Sequence, residues 1–85
     1  MSCHFYILKS EVTSAFYLGY TCDDLNQRIL KHNRNHRGYT ARQQPWILVY
    51  FEEFQSKASA MARERQVKAW KSRHKIEELI QKSKK

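Results

Sequence analysis

The chain has 85 residues, of which 41% are hydrophobic; this length allows one domain, and the composition excludes a fully disordered chain. No apolar run is long enough to cross a bilayer, and the opening MSCH is unlike a signal peptide, so we expect a soluble, cytoplasmic protein without membrane contact. Sixteen Lys and Arg residues against eight Asp and Glu residues give a net charge of +8, which favours a polyanionic partner such as nucleic acid.

Two apolar, aromatic runs at the start of the chain predict a β-hairpin. They are CHFYILKS at 3–10 and SAFYLGY at 14–20, and only a few polar residues separate them. With a turn near residues 11–12, we expect Tyr6 and Tyr17 nearly opposite each other on one sheet face, with β-carbons roughly 5 Å apart.

The two cysteines, Cys3 and Cys22, would lie near each other in such a hairpin. No CxxC pair or nearby Cys/His quartet accompanies them, which argues against a structural metal site. For an intracellular protein we expect two reduced, partly buried thiols.

Three later segments have helical periodicity, and one has the composition of a strand. The helical segments are residues 21–33, 56–71 and 73–82. Ser56 is the expected N-cap of the second of these helices. WILVYFEEF at 46–54 is dense in β-branched and aromatic residues, which predicts the central buried strand. Residues 33–45 are polar and basic, contain Gly38 and Pro45, and predict a loop.

The resulting order β-β-α-β-α-α predicts an α+β fold, with a three-stranded, mainly antiparallel sheet flanked by helices. We expect a single domain over residues 1–82 and a frayed basic tail over 83–85. A fold of this class assigns no function by itself, so function must be argued from particular side chains.

Glu64 is the first side chain whose position is unusual. The apolar stripe of its helix consists of Ala60, Met61 and Val67. Glu64 falls inside this stripe, where a lone carboxylate costs several kcal/mol unless a counter-charge or a metal ion accompanies it. An ion pair with Arg63, Arg65 or a cation on the sheet is one interpretation, and a functional site is the other.

Arg28 and His32 are one helical turn apart, so they project on the same side of their helix, at the edge of its apolar stripe. A solvated basic flank and a functional pair both fit this spacing. The loop that follows offers guanidinium groups, hydroxyls and an aromatic ring, which suit phosphate oxygens and a stacked base. Its candidate nucleic-acid-binding residues are Arg34, His36, Arg37, Tyr39, Thr40 and Arg42. A basic loop without a ligand is the alternative.

Several short segments, taken together, carry a family resemblance. HFY at 4–6 and YLG at 17–19 are separated by ten residues; DDLNQRILKHN contains Arg28 and His32, and SAMARERQVKAW contains Glu64. These features, with RGYTARQQPWILVYFEEF, resemble the GIY-YIG nuclease superfamily, in particular its small stand-alone branch. The match covers nearly the whole chain, which is also similar to the N-terminal nuclease domain of the bacterial excision-repair incision protein.

The resemblance implies a divalent-metal-dependent endonuclease that hydrolyses phosphodiester bonds. It implies that Glu64 is the protein ligand of one Mg²⁺ or Mn²⁺ ion, which a single carboxylate holds weakly without substrate. It implies that Arg28 stabilises charge on the scissile phosphate. Tyr17 is our preferred general base, with Tyr6 and His32 orienting water or relaying its proton, although the choice between the two tyrosines stays open. A nearby cation and an arginine would lower the pKa of such a phenol from ~10.

The chain departs from the family pattern in two places. His4 and Phe5 replace the usual glycine and aliphatic residue of the first half-motif, and neither supplies chemistry. No asparagine follows Asn35, although many family members carry one after the glutamate. A catalytically inactive nucleic-acid-binding module, or an adaptor of a repair complex, is therefore the alternative function.

DNA is the expected partner, and RNA is not excluded by the sequence. Because no recognition domain accompanies the family segments, we expect little sequence specificity and an affinity that falls with salt. Selectivity for a DNA structure, in repair or recombination, would then come from shape or from a protein of a repair complex. The sequence leaves the oligomeric state open.

Overall fold

The computed structural model describes residues 2–34 and 41–83. Its helices and strands follow the expected α+β order, β-β-α-β-α-α, with a short 3₁₀ helix before the third strand. The elements are β1 (Cys3–Ser10), β2 (Phe16–Thr21), α1 (Leu25–His32), the 3₁₀ helix (Ala41–Gln43), β3 (Trp46–Phe54), α2 (Lys57–Ala69) and α3 (Arg73–Ser83). Within the described ranges, no helix has the length and apolarity that spanning a membrane requires.

Side-chain caps set the first residues of two helices. The Ser56 hydroxyl accepts a hydrogen bond from the amide of Ser59, so Ser56 is the N-cap of α2, as the sequence predicts. The Asp24 carboxylate accepts from the amide of Gln27 in the same way. Helix α1 therefore begins directly after Asp24, whereas the sequence placed its start at Thr21, which is the last residue of β2.

The sheet has the strand order β2-β1-β3, and both neighbouring pairs are antiparallel. The central strand is β1, so the prediction that residues 46–54 form the central strand was wrong. Strand β3 lies at the edge of the sheet, but hydrophobic clusters form on both of its faces. Apolar side chains therefore lie on both sides of β3, so its sequence resembles that of a central strand, although Trp46 is its one buried residue and Ile47 and Phe51 are exposed.

Alternate residues of β1 enter two hydrophobic clusters on opposite faces of the sheet. The cluster beneath α2 and α3 contains Phe5, Ile7, Val67 and Ile80. The cluster beneath α1 contains Tyr6, Leu8 and Trp46. Burying one large apolar side chain in this way stabilises the fold by about 1.5–3 kcal/mol relative to leaving it exposed. Tyr6 therefore belongs to the core as well as to the candidate site.

The register of the hairpin differs by two residues from the expected one. Tyr6 pairs with Gly19 and does not lie directly opposite Tyr17. The reason is that the chain reverses between Ser10 and Ala15, where the Ser10 amide donates to the Ala15 carbonyl at 2.9 Å. A shift of two residues keeps every side chain on its original face, so the two tyrosines still share one face of the sheet.

Cys3 and Cys22 continue this register one step beyond the pair formed by His4 and Thr21. The structure joins the two cysteines in a disulfide bond, so the expectation of two reduced thiols was wrong. Directly opposed residues in a hairpin bring their β-carbons within reach of a disulfide. The bond ties the start of β1 to the segment that leads from β2 into α1.

Candidate active site

One cleft, with a volume of about 440 Å³, contains most of the candidate catalytic residues. Strands β1 and β2, helices α1 and α2, and the segment between β2 and α1 all contribute to it. Its lining residues are Tyr6, Tyr17, Gly19, Tyr20, Thr21, Cys22, Asp23, Arg28, Lys57 and Glu64. The ring of His32 contacts both Tyr6 and Tyr17. The fold therefore brings the sequence-predicted candidates together from four separate elements.

The two tyrosine rings lie close together because a glycine leaves room for one of them. The Tyr6 and Tyr17 rings are stacked, with centroids 6.5 Å apart and planes inclined by 25°. A β-carbon at Gly19 would lie 2.7 Å from the Tyr6 hydroxyl oxygen and 2.9 Å from its ring carbon Cζ. Any larger residue at this position would displace the Tyr6 ring. The close approach of that ring therefore explains why the YLG segment has a glycine here.

Tyr6 is almost fully buried, with 2% of its surface exposed. Desolvation by burial raises the pKa of its phenol; the neighbouring Tyr17 and Glu64 raise this pKa further, while Arg28 lowers it. Tyr6 therefore stays protonated at neutral pH. Its hydroxyl oxygen lies 3.2 Å from His32 Nε2, to which it donates a hydrogen bond when that nitrogen is unprotonated.

His32 is the last residue of α1 and lies beside both tyrosines. Its ring centroid is 4.5 Å from that of Tyr17 and 6.1 Å from that of Tyr6. The His32 carbonyl accepts a hydrogen bond from Gln44 Nε2 at 2.8 Å, which ties the end of α1 to the segment before β3. The imidazole is thus placed to orient the two phenols.

Arg28 faces the cleft from α1, one turn before His32. Its Nε is buried and, within the part of the chain that the structure describes, has no hydrogen-bond partner. A buried donor without a partner is costly, which favours a ligand at this position. A guanidinium presents several donors in one plane, a geometry that matches phosphate oxygens. Arg28 is therefore suited to an anionic group in the cleft.

Glu64 enters the cleft from α2, and its side chain is 15% exposed. Its carboxylate lies 3.5 Å from Nζ of Lys68, one turn later on the same helix. Lys68 is 55% exposed, so water screens its charge and weakens the pair. The sequence suggested Arg63, Arg65 or a cation on the sheet as the partner of Glu64, whereas the structure pairs Glu64 with Lys68. Arg63 binds Glu52 on β3 instead. The carboxylate of Glu64 is therefore held weakly and remains available to a cation.

The donor set at Glu64 fits a loosely held, hard cation. Among the described residues, no group of three or more His, Cys, Asp or Glu side chains could hold a metal ion. A divalent ion here would rest on the Glu64 carboxylate, with water and phosphate oxygens of a substrate as further ligands. Oxygen ligands of this kind suit Mg²⁺ and Mn²⁺, which keep several waters in protein sites.

The basic loop does not contribute described residues to the cleft. Arg34 and Arg42 are exposed and are absent from the lining of the cleft. The other four nucleic-acid-binding candidates lie outside the described residues. They are His36, Arg37, Tyr39 and Thr40.

Sequence reasoning missed four polar residues that line the cleft. They are Tyr20, Thr21, Asp23 and Lys57. For Lys57 a signal was present, because it precedes Glu64 by seven residues and therefore lies on the same side of α2. Tyr20 and Asp23 gave no such signal, since their approach depends on how the segment after β2 turns towards α1.

Comparison with known proteins gives a consistent result over most of the chain. Residues 2–77 match the family described as GIY-YIG catalytic domain. The chain is 37% identical over 78 residues to a UPF0213 protein of Staphylococcus aureus strain Mu3, covering 89% of this chain and 93% of that protein. The UPF0213 protein SAV0488 of strain Mu50 matches with the same identity and coverage. The solution NMR structure of the UPF0213 protein BH0048 from Bacillus halodurans is 36% identical, with a TM-score of 0.59, and the match covers 95% of this chain and 84% of that one.

Proposed function

Since this chain belongs to the GIY-YIG family, we propose that it is a divalent-metal-dependent endonuclease that hydrolyses phosphodiester bonds in DNA. Membership of the family implies a nuclease, with DNA as its substrate, and family members generally depend on a divalent metal ion. The observation that carries the proposal is the convergence of two phenols, one guanidinium and one carboxylate in a single cleft.

Glu64, through a bound divalent ion, and Arg28 would together offset the negative charge of the reacting phosphate. Glu64 holds the divalent ion, which when bound supplies positive charge that offsets the charge developing on the phosphate. Arg28 donates hydrogen bonds to the phosphate oxygens, and its buried Nε, which has no partner among the described residues, then gains one. These donors are already in place before substrate arrives, which is the arrangement that stabilises a transition state most effectively.

The tyrosines and the histidine would accept and relay the proton of the attacking water. Tyr17 is the general base in this proposal, because burial raises the pKa of Tyr6 and keeps Tyr6 in its phenol form. Tyr6 and His32, joined by their hydrogen bond, position the Tyr17 ring and pass the proton onward.

The protein would bind DNA chiefly through charge. A net charge of +8 attracts the phosphate backbone without reading sequence, so affinity should fall steeply as salt increases. Selection of a branch, flap or damaged site would then depend on the shape of the DNA or on a protein partner from repair or recombination.

The test is a plasmid-nicking assay, together with cleavage of a labelled branched oligonucleotide, in Mg²⁺, Mn²⁺ or EDTA. We expect cleavage with either metal and none in EDTA. Glu64→Gln should abolish cleavage, while Glu77→Gln, which removes an exposed carboxylate on α3, should leave the rate unchanged. A matched RNA substrate tests the choice of nucleic acid. Full-rate cleavage by Glu64→Gln would remove the proposed metal ligand.

A second function is favoured by one sequence feature, the lack of any asparagine after Glu64. In that case the protein would be a nucleic-acid-binding module, or an adaptor of a repair complex, without catalysis. The same assay separates the two functions. DNA binding by the parent protein with no cleavage in either metal would support the binding module and reject the nuclease.

A further inference from the structure

Lys57 lines the candidate cleft, but the proposed chemistry assigns it no role. It is the first residue of α2 and is exposed. Within the described residues, Lys57 and Arg28 are the two basic residues that line the cleft. Arg28 enters from α1 and Lys57 from α2, so a strand lying in the cleft meets positive charge from both helices.

Lys57 neither caps α2 nor forms an ion pair with another residue of the described part of the chain. Ser56, not Lys57, caps the helix through the Ser59 amide. No acidic residue occupies the first turn of α2, and none of the ion pairs among the described residues involves Lys57. A cation at a helix N-terminus is weakly unfavourable, because the helix dipole is positive there. The ammonium is therefore placed where folding alone would not favour it.

The spacing along α2 separates Lys57 from the reaction centre. Lys57 and Glu64 are seven residues apart, which is about 10 Å along the helix axis at a rise of about 1.5 Å per residue. Both side chains face the same cleft, since seven residues make nearly two full turns. A strand of B-DNA rises about 3.4 Å per nucleotide. A phosphate held at Glu64 and Arg28 is thus too far along the helix to be the natural partner of Lys57, whereas a phosphate further along the same strand is within reach.

We propose that Lys57 binds a non-scissile phosphate of the substrate strand, further along the strand than the phosphate held by Arg28 and Glu64, and so fixes how the strand lies along α2. This proposal rests on the proposed nuclease function for the identity of the scissile phosphate. A contact of this kind is made equally before and during the reaction. It therefore lowers KM and leaves kcat nearly unchanged.

The experiment compares Lys57→Ala and Lys57→Arg with the control Lys75→Ala, in the full chain. Lys75 lies on α3 beside Trp70 and Leu79, away from the cleft, and its loss changes the net charge by the same amount. Binding of a labelled branched DNA oligonucleotide is measured by anisotropy across a salt series, in a Glu64→Gln background that blocks cleavage. Steady-state cleavage is measured in the background with Glu64 intact.

We expect Lys57→Ala to weaken DNA binding by about 3- to 10-fold and to reduce the slope of log affinity against log salt by about one phosphate contact. The KM of Lys57→Ala should rise by a similar factor, while its kcat stays within about twofold of the parent value. Lys57→Arg should restore both the DNA affinity and the KM. Lys75→Ala should change binding by less than about twofold.

Two outcomes would overturn the assignment of Lys57. Lys57→Ala and Lys75→Ala could weaken binding equally, which would mean that Lys57 contributes only to the overall positive charge of the surface. Alternatively, kcat could fall with KM unchanged, which would place Lys57 at the scissile phosphate. Because the binding arm needs no cleavage, it decides the role of Lys57 even if the parent protein binds DNA without cutting it. Failure of the parent to bind DNA at all would reject both proposals.

Discussion

The guanidinium of Arg63 on α2 binds the carboxylate of Glu52 on β3, with Arg63 Nη2 3.0 Å from Glu52 Oε2. Arg63 Nε donates to both oxygens of the same carboxylate, at 3.1 and 3.2 Å. The Tyr50 hydroxyl also donates to Glu52 Oε2. This contact fixes the rotation of α2 on the sheet. Glu64 is the next residue on the helix, about 100° further round, and is directed into the cleft instead of into this ion pair.

Removal of this ion pair should loosen α2. We expect Glu52→Gln to lower the free energy of unfolding by about 1 kcal/mol, because the pair is bidentate but partly exposed. It should also lower the cleavage rate, since Glu64 depends on the position of α2. Urea denaturation measures the first effect and the plasmid assay the second. Glu53→Gln, at an exposed neighbouring position, is the control. Equal midpoints for the two variants would contradict the anchoring role of Glu52.

Stability should fall at alkaline pH, because Tyr50, which donates a hydrogen bond to Glu52, loses its proton there. Burial, reinforced by the hydrogen bond to Glu52, raises the pKa of Tyr50 from 10.0 to about 12 in the folded protein. The unfolded chain therefore releases this proton at lower pH than the folded chain does. The stabilising contribution of Tyr50 is complete below pH 10 and is lost as pH rises from 10 to 12.

The alkaline prediction is checked by urea midpoints measured between pH 9 and 12. Buried Tyr6, whose phenol pKa is also raised, adds to the same decline. Tyr50→Phe should flatten the decline without abolishing it. A parent protein whose midpoint stays constant across this range would show that neither phenol is protected from ionisation by the fold.

Gly19→Ala should destabilise the protein and disturb the site together. The added β-carbon would lie 2.7 Å from the Tyr6 hydroxyl oxygen, so the Tyr6 ring must move. Overpacking of this kind costs about 1–3 kcal/mol of unfolding free energy. Tyr6→Phe removes the nearest atom but leaves Cζ at 2.9 Å, so we expect the double variant to recover only part of the loss. Additive effects of the two substitutions would show that the close contact is not the cause.

The disulfide between Cys3 and Cys22 should contribute measurably to stability. Closing a loop with a sequence separation of 19 stabilises the folded state by about 3 kcal/mol, by restricting the unfolded chain. We expect the urea midpoint of the oxidised protein to fall after treatment with dithiothreitol. Cys3→Ser with Cys22→Ser should match the reduced protein and show no response to the reductant. A midpoint that is identical with and without the reductant would contradict this contribution.

Local patterns in the sequence were sufficient to place most elements, because caps and periodicity act within a few residues. Ser56 marked the start of α2, and the bounds of residues 46–54 were confirmed as β3. The apolar stripe of α2 also pointed to the unusual position of Glu64. The partner of Arg63 could not be predicted, since Glu52 lies on another element and meets α2 only through tertiary packing.

Pairing between strands was harder to predict, because it depends on where the chain reverses and on which strand occupies the centre. The turn before Ala15 shifted the register by two residues, which changed the residue opposite Tyr6 from Tyr17 to Gly19. The same register placed Cys3 opposite Cys22; the hairpin predicted that the two cysteines lie near each other, but not that they form a disulfide. Tyr6 and Tyr17 stayed on one face only because the error was an even number of residues.

The choice of general base is tested by removing one hydroxyl at a time. We expect Tyr17→Phe to lower kcat by about 10²–10⁴-fold, the usual contribution of a general base, without changing DNA affinity. Tyr6→Phe should cost less, because it removes the hydrogen bond to His32 and leaves the base in place.

Tyr20→Phe is the matched control for this pair, since Tyr20 lines the same cleft and has no part in the proposed proton transfer. Single-turnover cleavage of a labelled branched oligonucleotide, measured over a pH series, compares the three variants. A larger loss for Tyr6→Phe than for Tyr17→Phe would reverse the assignment of the base. That result would require the cleft with DNA bound to overcome the desolvation that raises the pKa of Tyr6 in the free protein.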